Sequence, residues 1–243
     1  FCYVTLLLVL PTRFIGIEGH SAIDAGLMML SLSAPMLFVP ITAALLTRWM
    51  SAGVISAAGL LIAALGMLWF SGIAPDAPSG SLTLPLFIIG VGAGLPWGLM
   101  DGLSVSVVPK ERAGMATGIF STTRVAGEGM TLAIAGAVLA VLTRLRLSDA
   151  LAAFPSASRE AAAQAAQRVA TGDLPQAIAL LPALGQPVLA QAYDSAFRIL
   201  LHILVAITLA SALVVLGFLG RTPSSASPTD ADPKLLGGEG AVD

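Results

Sequence analysis

The sequence predicts an all-α membrane protein, a bundle of six transmembrane helices, on three observations. Apolar residues make up 56% of its 243 residues and charged residues 11%, against roughly a quarter charged in a soluble domain. Mean hydropathy is +0.90. The apolar residues come in unbroken runs of helical length, not in the alternating segments of about ten residues that build a membrane β-barrel. A helix satisfies its own backbone groups in lipid, so such runs read as helical spans.

A bilayer core of about 30 Å needs about 20 apolar residues in a helix. The first span is the run 1–14, short at its beginning, and Phe1 reads as a cut point inside a longer chain. Spans two (25–46) and three (53–73) contain no charge. Span four (82–108) contains Asp101, and span five (113–142) contains Arg124 and Glu128. Residues 143–196 read as an external loop with two short helical pieces, punctuated by Pro155, Pro175, Pro182 and Pro187. Span six covers 197–219, and the Ser-, Pro-, Gly- and Asp-rich tail 220–243 reads as disordered and cytoplasmic.

Basic residues in short loops set the orientation. Arg48 follows span two, and Lys110 and Arg112 join spans four and five, so this end is expected in the cytoplasm. Arg144 and Arg146 oppose the rule, but they open a long segment where it counts little. Trp49 and Trp69 fall where interfacial belt residues stand. Arg13, Arg198 and His202 read as side chains reaching back to the external interface.

Several functions are excluded by the same arithmetic. A net charge of −2 and a pI near 5.6 give no electrostatic footprint for nucleic acid. Cys2 alone, with two histidines, calls for no metal site and no cofactor. The intramembrane residues hold no nucleophile–base pair, so an enzyme is not indicated. Gly90-Val91-Gly92-Ala93-Gly94 mimics a dinucleotide loop, but it lies inside an apolar run where no strand precedes it. Helix packing is the better account: Gly90, Gly94, Gly98 and Gly102 recur every fourth residue, and Gly114 and Gly118 begin a second small-residue face on span five. The two spans are expected to pack on each other or on a common neighbour. Pro96 removes a hydrogen bond within span four and is expected to bend it.

Asp101, Arg124 and Glu128 carry the functional signal. A charged side chain at the centre of a membrane helix costs about 2.5–3.5 kcal/mol on insertion scales and marks function by default. Counted from the cytoplasmic turn at 1.5 Å per residue, they lie about 12, 18 and 24 Å deep. Arg124 and Glu128 are four apart, hence on one helix face. Two carboxylates around one guanidinium leave one acid free to exchange a proton. A static internal salt bridge is the competing account.

Val107-Val108-Pro109-Lys110-Glu111-Arg112-Ala113-Gly114-Met115-Ala116-Thr117-Gly118, continued by Thr122-Thr123-Arg124-Val125-Ala126-Gly127, resembles the late cytoplasmic turn and following helix of major facilitator superfamily exporters. The match is nearest the fourteen-span drug:proton antiporter branch. Leu10-Pro11, the run from Ser21 to Leu27, and Pro40 through Arg48 follow the same branch in order. The resemblance implies the C-terminal half of a major facilitator superfamily fold, whose N-terminal half lies upstream. It implies a proton-coupled exporter of small amphipathic or drug-like compounds, working by alternating access in the bacterial inner membrane, with protons, lipid and a small-molecule substrate as partners. Asp101 and Glu128 are then the proton-coupling candidates, and Arg124 is their charge partner or a substrate ligand. Arg48, Lys110 and Arg112 stand at the cytoplasmic gate. The chain departs from the branch at Thr47 and Met50, where the gate motif often has Asp and Gly, and at Asp101 and Glu128, where it is usually uncharged. Uptake of an anionic metabolite through Arg124, and a non-transporting scaffold or sensor, are the alternatives.

Overall fold

The computed structural model describes residues 2–74, 77–78, 80–106, 109, 112–151, 159–182 and 184–219, with the backbone alone for 101–106, 149–151, 159 and 218–219. Lys110 and the tail from 220 lie outside the described residues, as does the side chain of Asp101. Every regular element described is helical. In chain order they are α1 (Cys2–Pro11), a π-helical turn (Thr12–Ile17), α2 (Ala22–Ser33), α3 (Pro35–Leu46), α4 (Ala52–Ser71), α5 (Gly80–Ser106), α6 (Ala113–Leu151), α7 (Arg159–Ala170), α8 (Leu174–Leu180) and α9 (Gly185–Leu219).

Among the described residues, five helical segments are long and apolar enough to cross a membrane: α2 with α3, α4, α5, α6 and α9. Cys2–Ile17 is a shorter apolar helix beside them. Local chemistry places the ends and breaks. Ser21 caps α2 by accepting from the Asp24 amide, and Ser51 caps α4 by accepting from the Val54 amide. Pro35 has no N–H to continue the ladder, and the break between α2 and α3 falls at Ala34.

Two helices run further than apolar residue counting gives. The helix expected at 197–219 begins at Gly185, and the one expected to stop at 142 continues to Leu151. Charged residues end a hydropathy run, but they do not end a helix. No proline interrupts Val188 to Phe197, where Asp194 finds basic partners, and Arg144 and Arg146 sit in good helical sequence. At 39 and 35 residues, α6 and α9 are about 58 and 52 Å long and outreach a 30 Å core.

The interior is arranged around α4, which packs on α5 and α9, while α5 packs also on α2 and α3. Glycines set these spacings. A Cβ on Gly90 would meet the Leu32 carbonyl, one on Gly94 would meet Val39, and one on Gly98 would meet Pro40. On the other face of α5, Gly92 lies against Gly59 and Ala63 of α4. α5 and α6 meet each other and share α1 as a neighbour, but not through paired glycine faces: the α5 stripe seats α2 and α3, and nothing lies within 4 Å of a Cβ on Gly114 or Gly118. The front of α6 is bare, whereas Ala135, Leu139, Thr143 and Leu147, spaced four apart, bury its later part. Outward-facing Leu37, Phe38, Leu65 and Trp49 give the bundle the apolar exterior that lipid requires.

The segment between α6 and α9 folds inward. Ala165, Ala166 and Val169 of α7 and Leu174 and Ala177 of α8 belong to the main hydrophobic core, so the two helices form a cap on one end of the bundle. Gly172, at φ +80°, turns the chain between them.

Candidate functional site

Two arginine centres stand out, and they differ in kind. The first lies on the front of α6. Arg124 Nε is 3.9 Å from Glu128 Oε1, one turn on. That separation is beyond hydrogen-bond reach, so the pair is held by charge rather than by a shared proton. The guanidinium lies over the Trp97 ring of α5, 5.2 Å from its centroid, and near Phe120 at 5.6 Å. Tyr3 of α1 meets the edge of the same Trp97 ring at 6.1 Å. Three helices thus contribute to one polar and aromatic cluster. Arg124 and Glu128 keep 26% and 21% of their side-chain surface, enough for water or a ligand to reach them. Asp101 stands on α5 one turn beyond Trp97, on the same helix face.

The second centre, at the capped end, is tighter. Arg13 in the π-helical turn is 7% exposed. Its Nε donates to Glu18 Oε1 at 2.7 Å, and its Nη2 donates to Asp194 Oδ1 at 3.0 Å. The guanidinium lies over the rings of Phe197 (4.6 Å) and Phe70 (5.8 Å), which stand edge to face beside each other. Arg198 closes on the other Asp194 oxygen at 3.0 Å and donates to the Ile73 carbonyl at 3.3 Å. His20 Nε2 is 3.3 Å from Glu18 Oε2. Reading Arg13 as an interfacial side chain is corrected here, because it is buried in a network of ion pairs, whereas Arg198 keeps 38% of its side-chain surface. Its partner is 181 residues away, which explains why the sequence hides it; the traces it does leave are Glu18 five residues on and the Asp194–Arg198 turn. His202 is exposed, with Nδ1 2.6 Å from the Arg198 carbonyl.

At the opposite end Arg48 and Arg112 are exposed, and neither forms an ion pair among the described residues.

Comparison with known proteins decides the family. The sequence profile of the Major Facilitator Superfamily matches residues 1–132, more than half of the chain. The chain belongs to the Major Facilitator Superfamily. It is a multi-pass membrane protein of a transporter family, not of an enzyme family. It is 36% identical over 137 residues to the multidrug resistance protein Stp of Mycobacterium tuberculosis, covering 55% of this chain and 25% of that protein. It is 36% identical over 118 residues to the cephamycin export protein CmcT of Amycolatopsis lactamdurans (48% of this chain, 24% of that one). The uncharacterized transporter YebQ of Escherichia coli is 30% identical over 142 residues (57% and 31%). The chain therefore spans about a quarter to a third of the length of these relatives. No solved structure matches it.

Both arginines lie within the match, but their partners divide. Arg13, Glu18, Arg124 and Glu128 fall inside the matched residues, whereas Asp194 and Arg198 fall beyond them.

Proposed function

We propose that this superfamily chain forms part of a proton-coupled exporter of the drug:proton antiporter branch, moving small amphipathic or drug-like compounds out across the bacterial inner membrane. The Arg124–Glu128 pair carries the reading. It is a loose charge pair in a membrane helix, partly open, over an aromatic platform. An acid this far from its guanidinium exchanges a proton without first breaking a hydrogen bond. Asp101, four residues beyond Trp97 in the sequence of α5, is the second acid we assign to such a relay.

Alternating access supplies the cycle, with the two halves of the full transporter rocking about a central site. The front of α6, where no residue before Ala135 is buried, borders the transport path. Arg48, Lys110 and Arg112 form the cytoplasmic gate, which puts the α7–α8 cap outside. Outward direction is supported by relatives named as resistance and export proteins. Anion uptake through Arg124 gains no such support from the names of these relatives.

The test is pH-gradient-driven transport by the full-length protein in liposomes, comparing Asp101→Asn and Glu128→Gln with the unaltered protein. Loss of proton-driven export with downhill exchange retained in one variant is the expected result. Full coupled export by both variants refutes the assignment and leaves the two acids structural.

A further inference from the structure

Proton exchange at Glu128 uses one charge of a site that presents two. Arg124 and Glu128 are four residues apart on α6, hence about 6 Å apart along the helix axis. Among the described residues Glu128 has Arg124 as its one cationic partner, at 3.9 Å. Neither side chain is sealed, and no residue of α6 before Ala135 is buried. The guanidinium lies over the rings of Trp97 and Phe120, and Tyr3 meets Trp97 edge to face. These ring contacts place Arg124 independently of Glu128, so the guanidinium keeps its position when the carboxylate beside it changes. Trp97 itself stands on a fixed stretch of α5. A Cβ on Gly59 of α4 would lie 2.8 Å from Pro96 Cδ, and one on Gly98 would lie 2.6 Å from Pro40 Cα of α3. The residues on either side of Trp97 are thus seated on two other helices.

A ligand that reaches this pair meets both of its charges. An anion alone takes Arg124 and leaves Glu128, in a membrane helix, without its guanidinium. A cation alone takes Glu128 and draws it from Arg124. Breaking an ion pair out of water by removing one partner is costly, because a charge is left uncompensated. A zwitterion replaces both partners at once. Its carboxylate accepts from the guanidinium, whose planar fork suits a carboxylate, and its ammonium donates to Glu128. The spacing also fits, since opposite charges a few bonds apart match two side chains about one helical turn apart; the ends of a dipeptide lie at most about 7 Å from each other. Trp97, Phe120 and Tyr3 supply ring surface for the apolar part of such a compound.

We propose that the Arg124–Glu128 pair, set among Trp97, Phe120 and Tyr3, binds zwitterionic aromatic compounds, with the carboxylate on Arg124 and the ammonium on Glu128, and that these are the compounds the transporter exports. The proposal rests on the exporter reading above and narrows it from amphipathic compounds to those bearing both charges. Substrate and proton then exclude each other at Glu128. A protonated Glu128 is neutral and offers the ammonium no counter-charge, so the compound binds as the proton leaves and departs as a proton returns.

The experiment uses the purified full-length protein and one scaffold in four charge states: phenylalanyl-phenylalanine with free ends, its C-terminal amide, its N-acetyl derivative and the doubly blocked form. These are a zwitterion, a cation, an anion and a neutral compound of nearly one shape. Equilibrium dialysis of each, tritium-labelled, gives four affinities. The zwitterion is expected to bind about tenfold or more tighter than each of the others. Arg124→Gln should erase its advantage over the amide, and Glu128→Gln its advantage over the acetyl form. If the two side chains are merely structural, each variant weakens all four compounds alike, and that outcome overturns the site. A zwitterion that fails to bind, or binds no tighter than its blocked forms, overturns it too. Should one variant fail to fold, the other variant and the four affinities of the unaltered protein decide. Uptake of the same compounds into liposomes acidic inside tests export separately. Discrimination in binding without gradient-driven uptake refutes the exporter reading and leaves the ligand class standing, whereas gradient-driven uptake of all four alike refutes the ligand class alone.

Discussion

Two chemically identical substitutions are expected to move stability in opposite directions. Gly90→Ala and Gly118→Ala each add one methyl group within a helix. At Gly90 the new Cβ would stand 3.0 Å from Pro35 Cγ and 3.1 Å from the Leu32 carbonyl carbon, with the Leu32 oxygen closer still. Carbon–oxygen contacts between packed backbones run near 3.3–3.6 Å, so the helices must part by roughly an ångström. The obstacle is a backbone carbonyl, which cannot rotate away as a side chain would. Overpacking of this kind costs about 1–3 kcal/mol, and a backbone clash belongs at the upper end. Alanine returns up to about 1 kcal/mol of helix propensity, leaving a net loss of about 2 kcal/mol. At Gly118 nothing lies within 4 Å, so only the propensity gain of about 0.4–1 kcal/mol remains.

The assay is denaturant or thermal unfolding of the full-length protein in one detergent, with both variants measured beside the unaltered chain. Their midpoints should fall on opposite sides of it, separated by about 2.5–3 kcal/mol. A Gly90→Ala variant as stable as Gly118→Ala would falsify the argument that α5 seats α2 and α3 by backbone contact.

Gly16→Val should unseat the cap, since its Cβ falls 2.7 Å from the Gly172 Cα, and trypsin should then cut at Arg168 at least tenfold faster; Gly26→Val, with open space around it, serves as the control, and equal cutting rates would refute the seat. For topology, cysteines placed at Lys110 and at the exposed Gln167 should react with impermeant reagents from opposite sides of the membrane, the first from the cytoplasm. Labelling from a single side would sink the orientation.

Legibility from sequence tracked the distance over which each feature is made. The helical membrane character is a property of composition and run length, and the family is carried by the stretch from Val107 to Gly127, within the matched residues. Helix ends were less legible wherever a charge fell inside a helix. Asp194 hides the first turns of α9 because hydropathy counts it as a cost, whereas in the fold Arg13 and Arg198 cover that cost. Glycine spacing shows that a backbone approaches, but it does not say which one. Gly94 and Gly98 look like Gly114 and Gly118 in the sequence, yet Val39 and Pro40 lie against the first pair and nothing lies against the second.

The two arginines show what that blindness conceals about mechanism. Both are cations in apolar helical surroundings and both lie over aromatic rings. Arg13 is bonded at 2.7 and 3.0 Å, each leg a charge-assisted hydrogen bond, whereas Arg124 stands 3.9 Å from Glu128. A charge-assisted hydrogen bond contributes about 1.5–3 kcal/mol, so the legs at Arg13 hold geometry against thermal motion. The Arg124 Nε–Glu128 contact lacks that directional part, so of these contacts it is the one a small side-chain rotation remakes. The function proposed above puts proton exchange at that contact. The firm legs at Arg13 do different work that sequence does not carry: they tie the turn after α1 to the start of α9 across 181 residues, and so fix the geometry of the capped end.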